Sequence, residues 1–131
     1  MAEASYPEHL KYHPEHDWAL IEGDEATFGV TWYAQDSLGE IVFFDPPAVG
    51  TQVTKDEPYA EVESVKAVSD VFAPLSGEII EVNPGLEEEP EKVNEDPYGD
   101  GWMVKVRLSD PSEVDALLDV KAYEELLQSG S

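Results

Sequence analysis

The chain contains no cysteine among its 131 residues, so disulfides, thiolate metal sites and thiol catalysis are excluded. Basic residues are scarce as well, because 7 lysines and arginines stand against 30 aspartates and glutamates and leave a formal net charge of −23. Such a surface repels phosphate backbones and anionic lipid headgroups, which makes nucleic acid and membrane poor partners. It favours docking on basic protein surfaces instead, at rates that fall as salt increases.

Long hydrophobic runs are also missing, and none approaches the roughly 20 residues that a membrane-spanning helix needs. The first residues, as far as Pro7, have neither an apolar signal core nor an arginine, which predicts a cytoplasmic protein. Hydrophobic residues still make up 41% of the chain, enough to build one core. We therefore expect a single domain over residues 1–131, with residues 1–10 as a loose N-terminal arm.

Short apolar segments separated by glycine, proline and acidic turns predict a mainly β protein with antiparallel strands. Two helical stretches interrupt this pattern. Thr31 and Gly39 predict the start and the end of a short helix. Asp110 predicts a second helix start, with Glu113 three residues later closing a capping box. With a further short helix after it, this stretch forms a C-terminal helical segment, residues 111–127.

An internal similarity links two parts of the chain. The segment Gly39–Pro46 has a counterpart 38 residues later in Gly77–Pro84, and Glu57–Tyr59 has one 39 residues later in Asp96–Tyr98. Two similar β units of this kind predict a quasi-twofold sandwich. Lys66 would lie in the connection between the units, at one end of the molecule.

Lys66 stands between two apolar β-type runs, Tyr59–Val62 and Val68–Ala73, and no other basic residue occurs between Lys55 and Lys92. This pattern predicts a hairpin whose tip presents a single amine to solvent, where an enzyme can reach it. Such a lysine is either a solubilising turn residue or an attachment point for a long acyl group. An acyl arm of that kind lets a protein carry one reactive centre among separate active sites.

Other chemistry has less support in the sequence. His13 and His16 lie three residues apart, but Pro14 between them opposes a regular helix, so structural histidines are favoured over a metal site. No nucleophile motif or triad spacing is present. Paired carboxylates are abundant only because acidic residues are abundant, so they do not indicate a hydrolase.

The chain from Tyr12 to Tyr123 resembles the H-proteins of the glycine cleavage system. The combination is far more specific than any single motif. The shared residues are His16-Asp17-Trp18; Val30-Thr31 with Ala34-Gln35 and Leu38-Gly39; Glu63-Ser64-Val65-Lys66-Ala67 with Ser69-Asp70; Pro74-Leu75-Ser76-Gly77-Glu78; Asn83; and Asn94 with Pro97-Tyr98-Gly99 and Gly101-Trp102.

The resemblance implies a barrel-sandwich hybrid of the biotinyl/lipoyl-carrier type with short helices, and lipoate bound covalently to Lys66. It implies a carrier that is a cosubstrate and not an enzyme of the cycle. Glycine decarboxylase (P-protein) would load an aminomethyl group, the tetrahydrofolate-dependent aminomethyltransferase (T-protein) would take the methylene and free ammonia, and dihydrolipoamide dehydrogenase (L-protein) would reoxidise the dithiol. A lipoyl or octanoyl transferase, or a lipoate ligase, would attach the arm.

The resemblance also assigns roles to further residues. Glu63, three before the lysine, and Gly77, eleven after it, are implied in recognition by the lipoylating enzymes. A strand-end acid and a turn glycine would explain the same residues without recognition. A cleft that shelters the loaded amine is expected, and the residues predicted to line it are Asp17 and Asp70, with Glu15 and Tyr33 at its rim. The family usually has a glutamate where Asp17 stands.

Three other functions remain open. The same Lys66 would serve a relay protein that passes octanoyl or lipoyl groups to other complexes in lipoic acid metabolism. A biotin carrier is disfavoured, because Val65 and Ala67 occupy places where that family typically has methionines. An acidic interaction module with an unmodified Lys66 would be ignored by a lipoate ligase.

Overall fold

The computed structural model describes residues 6–129, which form nine strands and five short helices. None of these helices combines the length and the hydropathy that crossing a membrane requires. The strands are β1 (Lys11–His13), β2 (Asp17–Glu22), β3 (Glu25–Val30), β4 (Ile41–Asp45), β5 (Gln52–Val53), β6 (Pro58–Ser64), β7 (Val68–Phe72), β8 (Gly77–Val82) and β9 (Val104–Leu108). The helices are α1 (Trp32–Leu38), α2 (Gly85–Glu88), α3 (Lys92–Glu95), a 3₁₀ helix (Pro111–Ala116) and α4 (Val120–Gln128).

The strands form two antiparallel sheets that share one core. Six strands lie in the order β1-β2-β3-β9-β8-β5, and three lie in the order β4-β6-β7. Apolar side chains from both sheets form a single buried cluster that includes Phe28 and Ile79 from the larger sheet and Phe44 and Val62 from the smaller one. The prediction of a mainly β fold with short helices and a C-terminal helical segment is confirmed.

The two similar sequence segments lie in different sheets. Strand β4, from the first segment, pairs with β6 in the smaller sheet. Strand β8, from the second segment, pairs with β9 in the larger sheet. Each segment therefore supplies one strand of an antiparallel pair, an arrangement consistent with the predicted two-unit sandwich.

A second buried cluster lies beneath α4 and corrects the prediction of a loose arm. Leu10 is buried in this cluster, and the ring of Tyr6 packs with its edge towards Tyr123, with 5.5 Å between centroids. The hydroxyl of Tyr12 donates a 2.6 Å hydrogen bond to the carbonyl of Pro7. Tyr6 and Leu10 are thus packed against the apolar residues beneath α4, while Glu8 and His9 between them are exposed. The rest of the predicted arm, residues 1–5, lies outside the described residues.

The caps of α1 follow the prediction. The Thr31 hydroxyl accepts the N–H of Ala34, and the chain leaves the helix at Gly39 with φ +83°. At the 3₁₀ helix, Asp110 caps the start by accepting the N–H of Ser112. The predicted capping box is wrong, since both carboxylate oxygens of Glu113 accept from Ser76 instead, at 2.8 Å from its N and 3.0 Å from its Oγ. A nearby turn with a free N–H competes successfully for this carboxylate.

Candidate functional site

The hairpin between β6 and β7 presents Lys66 at its tip, as predicted. The hydroxyl oxygen of Ser64 accepts the backbone N–H of Lys66 at 3.1 Å and that of Ala67 at 3.2 Å. The carbonyl of Ala67 accepts the N–H of Ser64 at 2.8 Å and closes the turn. One buried serine therefore fixes the backbone of an exposed lysine, which a partner can reach without unfolding the hairpin.

The amine of Lys66 contacts the C-terminal end of α1. Its Nζ donates a 2.9 Å hydrogen bond to the carbonyl of Ser37, in the last turn of that helix. Helix C-termini carry partial negative charge, so a cation is favoured there. The stem of the lysine passes Gly39, where an added Cβ would lie 3.2 Å from Lys66 Cε. The absence of a side chain at Gly39 leaves room for this path.

A cleft of about 170 Å³ lies beside this contact, between α1, β7 and the start of β2. Ser37, which binds the lysine amine, belongs to its wall. The structure brings together all four residues predicted for such a cleft, although their roles stay predictions. The wall is formed by Glu15, His16, Asp17, Val30, Tyr33, Ala34, Ser37, Leu38, Ser69, Asp70 and Val71.

Asp17 is the most unusual of these residues. Its side chain is 2% exposed, and its Oδ2 is the one buried side-chain polar atom within residues 6–129 that has no hydrogen-bond partner. Burial, and secondarily the neighbouring Glu15, raises the pKa of Asp17 well above the usual range. Buried polar atoms normally find partners, and an exception needs an explanation such as a bound group. Asp17 is therefore the strongest sign of a ligand site in this region.

His16 is a cleft residue that the sequence reasoning did not include. Its ring packs on Tyr33 with 4.4 Å between centroids, and its Nδ1 lies 2.8 Å from the hydroxyl of Tyr123. Burial lowers the pKa of His16, although the nearby Glu15 opposes this effect. No local pattern could have revealed the contact with Tyr123, since 107 residues separate the two positions.

His13, the other histidine of the suspected metal pair, points elsewhere. Its Nδ1 accepts the N–H of Glu15 at 3.1 Å, and its Nε2 binds the carboxylate of Asp56. With Nδ1 accepting, the ring donates through Nε2. Both ring nitrogens are thus used within the protein. Residues 6–129 contain no group of three histidines or carboxylates placed to hold a metal ion.

Glu63 and Gly77 lie in different sheets. Glu63 is exposed on β6, between Phe43 of β4 and Val68 of β7 in the register of the smaller sheet. Gly77 is buried at the start of β8, where an added Cβ would lie only 2.1 Å from the carbonyl oxygen of Arg107. Close approach of two strands therefore requires glycine at position 77, whatever its part in recognition.

The surface around Lys66 is apolar as well as acidic. Strand β4 carries a bulge between Ile41 and Phe43, so that Val42 and Phe43 are both exposed. Val65 and Val68, which flank the lysine, are also more than half exposed. Further along the same face, three carboxylates stand opposite one another in register across the three strands: Asp45, Glu61 and Asp70.

Comparisons with known proteins agree with this geometry. The family model described as "Glycine cleavage H-protein" matches residues 10–130. A glycine cleavage system H protein of Symbiobacterium thermophilum is 48% identical over 127 residues, covering 97% of this chain and 99% of the relative. One from Halorhodospira halophila is 53% identical over 122 residues, covering 92% and 94%.

A solved structure gives the same result in three dimensions. The crystal structure of a glycine cleavage system H protein from Mycobacterium marinum matches with a TM-score of 0.85 and 37% identity, covering 96% of this chain and 100% of that one. This match confirms the barrel-sandwich hybrid of the lipoyl-carrier type. From its sequence, its fold and the lysine at its hairpin tip, the chain belongs to the glycine cleavage H-protein family.

Proposed function

We propose that this chain is the lipoyl-bearing carrier of a cytoplasmic glycine cleavage system, with the arm attached through an amide to Lys66. The observation that supports this most directly is the position of the lysine amine. It lies 2.9 Å from the carbonyl of Ser37, a residue of the cleft wall. The point of attachment and the cleft that would receive the end of the arm are therefore joined by one short helix.

The cleft fits such a group. It has about 170 Å³ of space and contains a buried carboxyl oxygen of Asp17 with no partner in the described chain. A polar atom buried without a partner costs roughly 1–3 kcal/mol, and a bound donor would remove that cost. When attached, the lipoyl group would supply the disulfide and dithiol chemistry and carry the one-carbon amine.

The chain's own residues would protect that amine. Asp70 and Glu15 are exposed carboxylates at the cleft, and Asp17 is a carboxyl within it. Opposite charge nearby favours the ammonium form of an amine, and a protonated nitrogen has no lone pair with which to form an iminium and expel the sulfur as thiolate. Tyr33 and His16 pack against each other on the same wall and limit the access of water.

The charge of the chain supports a role as a visiting cosubstrate and not as an enzyme. At −23 it favours steered, salt-sensitive encounters with basic surfaces on several partners in turn. The proposed partners are glycine decarboxylase, the tetrahydrofolate-dependent aminomethyltransferase, dihydrolipoamide dehydrogenase and the lipoyl or octanoyl transferase or lipoate ligase that attaches the arm. Membership of the family supports the first three, and the exposed amine of Lys66 supports the last.

Intact mass measured before and after incubation with lipoate, ATP and a lipoate–protein ligase tests the attachment. We expect a gain of one lipoyl group, absent in Lys66→Ala and kept in Lys121→Ala, which removes another exposed lysine. A folded protein that gains nothing, or that gains the group in Lys66→Ala, would contradict the proposal. Turnover with the three partner enzymes, compared with transfer of the group to other lipoyl domains, then separates a glycine cleavage carrier from a relay.

A further inference from the structure

Tyr123 connects the C-terminal helix α4 to the cleft. It is fully buried, and its hydroxyl lies 2.8 Å from His16 Nδ1 and 2.8 Å from the Thr31 hydroxyl. Thr31 is the N-cap of α1, and His16 belongs to the cleft wall. One phenol therefore touches both a wall residue and the start of the helix whose other end holds Lys66.

The direction of these hydrogen bonds follows from the donors available. Thr31 is fully buried, so its hydroxyl proton needs an acceptor within the protein, and the oxygen of Tyr123 lies 2.8 Å away. The proton of Tyr123 then goes to Nδ1 of a neutral His16. This arrangement gives each of the two side-chain contacts one donor and one acceptor, and it leaves the ring proton of His16 on Nε2. These two hydrogen bonds thus fix both the position and the tautomer of the imidazole.

The backbone at His16 adopts an unfavourable conformation that its surroundings must hold in place. His16 has φ +73°, a left-handed conformation that costs a residue with a Cβ roughly 1–2 kcal/mol. It is maintained by backbone hydrogen bonds from His16 N to His13 O at 2.9 Å and from Thr31 N to His16 O at 3.0 Å. Strained residues persist where their surroundings over-determine them, and they concentrate at functional sites.

We propose that Tyr123 is a positioning residue for the cleft. It holds the His16 imidazole against Tyr33, so that protection of the arm depends on the docking of the C-terminal helix α4. The inference rests on the proposed function, because it assumes that the cleft receives the end of a lipoyl arm. The side chains predicted to line the cleft lie in the first part of the chain and in β7. Tyr123 of α4 adds a positioning residue that is remote in sequence from both. Tyr123 itself touches neither the arm nor the amine.

The chain offers a matched control. Tyr12 stacks on Tyr123 with 4.7 Å between centroids and 11° between ring planes, and it is equally buried. Its hydroxyl binds the carbonyl of Pro7 and not a residue of the cleft. Tyr123→Phe and Tyr12→Phe therefore each remove one buried hydroxyl from the same aromatic stack and keep both rings.

The first measurement uses the unmodified full-length protein. Nitrogen-15 chemical shifts of the His16 ring, recorded at a pH where the ring is neutral, report its tautomer. We expect a single Nε2–H form in the parent protein and in Tyr12→Phe, and averaged tautomers in Tyr123→Phe. An unchanged ring in Tyr123→Phe would overturn the proposal. Because no lipoyl group is needed, this result does not depend on the proposed function.

The second measurement uses lipoylated, amine-loaded protein alone in buffer and follows the release of ammonia. We expect Tyr123→Phe to shorten the lifetime of the load about fivefold, the effect of one lost hydrogen bond, and Tyr12→Phe to leave it unchanged. Equal shortening in both variants would show a general packing effect and refute the positioning role. Failure of the parent protein to accept lipoate would refute the proposed function instead.

A second variant keeps the test decisive if Tyr123→Phe folds poorly. His16→Asn removes the imidazole but accepts the left-handed backbone. We expect it to shorten the lifetime as Tyr123→Phe does, and the double variant to add nothing further, since both act through one contact. A His16→Asn protein with the parent lifetime, or additive effects in the double variant, would contradict the proposal.

Discussion

Replacing Gly77 by alanine should destabilise the fold through one identifiable collision. The new Cβ would lie 2.1 Å from the carbonyl oxygen of Arg107 and 2.5 Å from Cγ1 of Val106. An ordinary contact needs about 3.4 Å, so β8 and β9 would have to separate by roughly 1 Å at this point. Gly77 pairs with Leu108, and two positions further Ile79 and Val106 face each other, fully buried.

The expected cost combines two effects. Overpacking of a well-packed interior costs about 1–3 kcal/mol, and loss of a ladder hydrogen bond at the strand end adds about 1 kcal/mol. We therefore expect Gly77→Ala to lose about 3 kcal/mol of unfolding free energy, or roughly 10 °C in melting temperature for a domain of this size. Urea unfolding followed by tryptophan fluorescence and by circular dichroism measures the loss.

Gly50→Ala is the control for this measurement. Gly50 has φ +94°, and no atom of residues 6–129 lies within 4 Å of an added Cβ, so only the backbone conformation is penalised, by about 1 kcal/mol. If Gly77→Ala loses no more than Gly50→Ala, the steric argument is wrong. A Gly77→Ala protein that keeps about 3 kcal/mol is still about 99% folded, so a failure to be lipoylated would then indicate a role in recognition.

Three further changes test other features. Burial raises the pKa of Asp17, so the folded protein retains a proton that the unfolded chain releases above about pH 4. The unfolding free energy should therefore fall as the pH rises above about 4, and urea titrations from pH 4 to 8 should show a smaller fall for Asp17→Asn than for the parent protein. Glu61 lies between Asp45 and Asp70 in the strand register, so Glu61→Gln should remove charge repulsion among these carboxylates and stabilise the protein by about 0.5 kcal/mol at low salt and by less at 1 M salt. An equal gain at both salt concentrations would show that the gain does not come from charge repulsion. Glu113→Ala should cost about 1–2 kcal/mol in urea unfolding, because it removes the acceptor of both hydrogen bonds that Ser76 donates. An unchanged midpoint would show that water replaces this carboxylate.

Local features of the fold were predictable because their causes are local. The cap at Thr31 and the left-handed Gly39 depend on neighbours three or four residues away, and both follow from residue type. The hairpin tip at Lys66 follows from two β-type runs with a short break between them. The capping box at Glu113 failed for the opposite reason, since its carboxylate found a partner 37 residues away in Ser76.

The cleft depended on information that no short window contains. The resemblance predicted Glu15, Asp17, Tyr33 and Asp70 as cleft residues, and all four line the same cleft in the structure. Neither source could show that Oδ2 of Asp17 has no hydrogen-bond partner among residues 6–129, because that depends on packing from several strands. The bond between His16 and Tyr123 is of the same kind, since it exists only once α4 has docked.

The proposed attachment of the arm would change the charge at the contact between Lys66 and Ser37. Between Lys55 and Lys92 the amine of Lys66 is the one basic side-chain group in the sequence, and the proposed acylation would convert it to a neutral amide. An enzyme that attaches the arm would therefore meet a cation beside exposed apolar and acidic side chains, whereas every later partner would meet those side chains without the cation. The same surface would thus differ by one positive charge before and after attachment of the arm, and partners would distinguish modified from unmodified carriers by that charge.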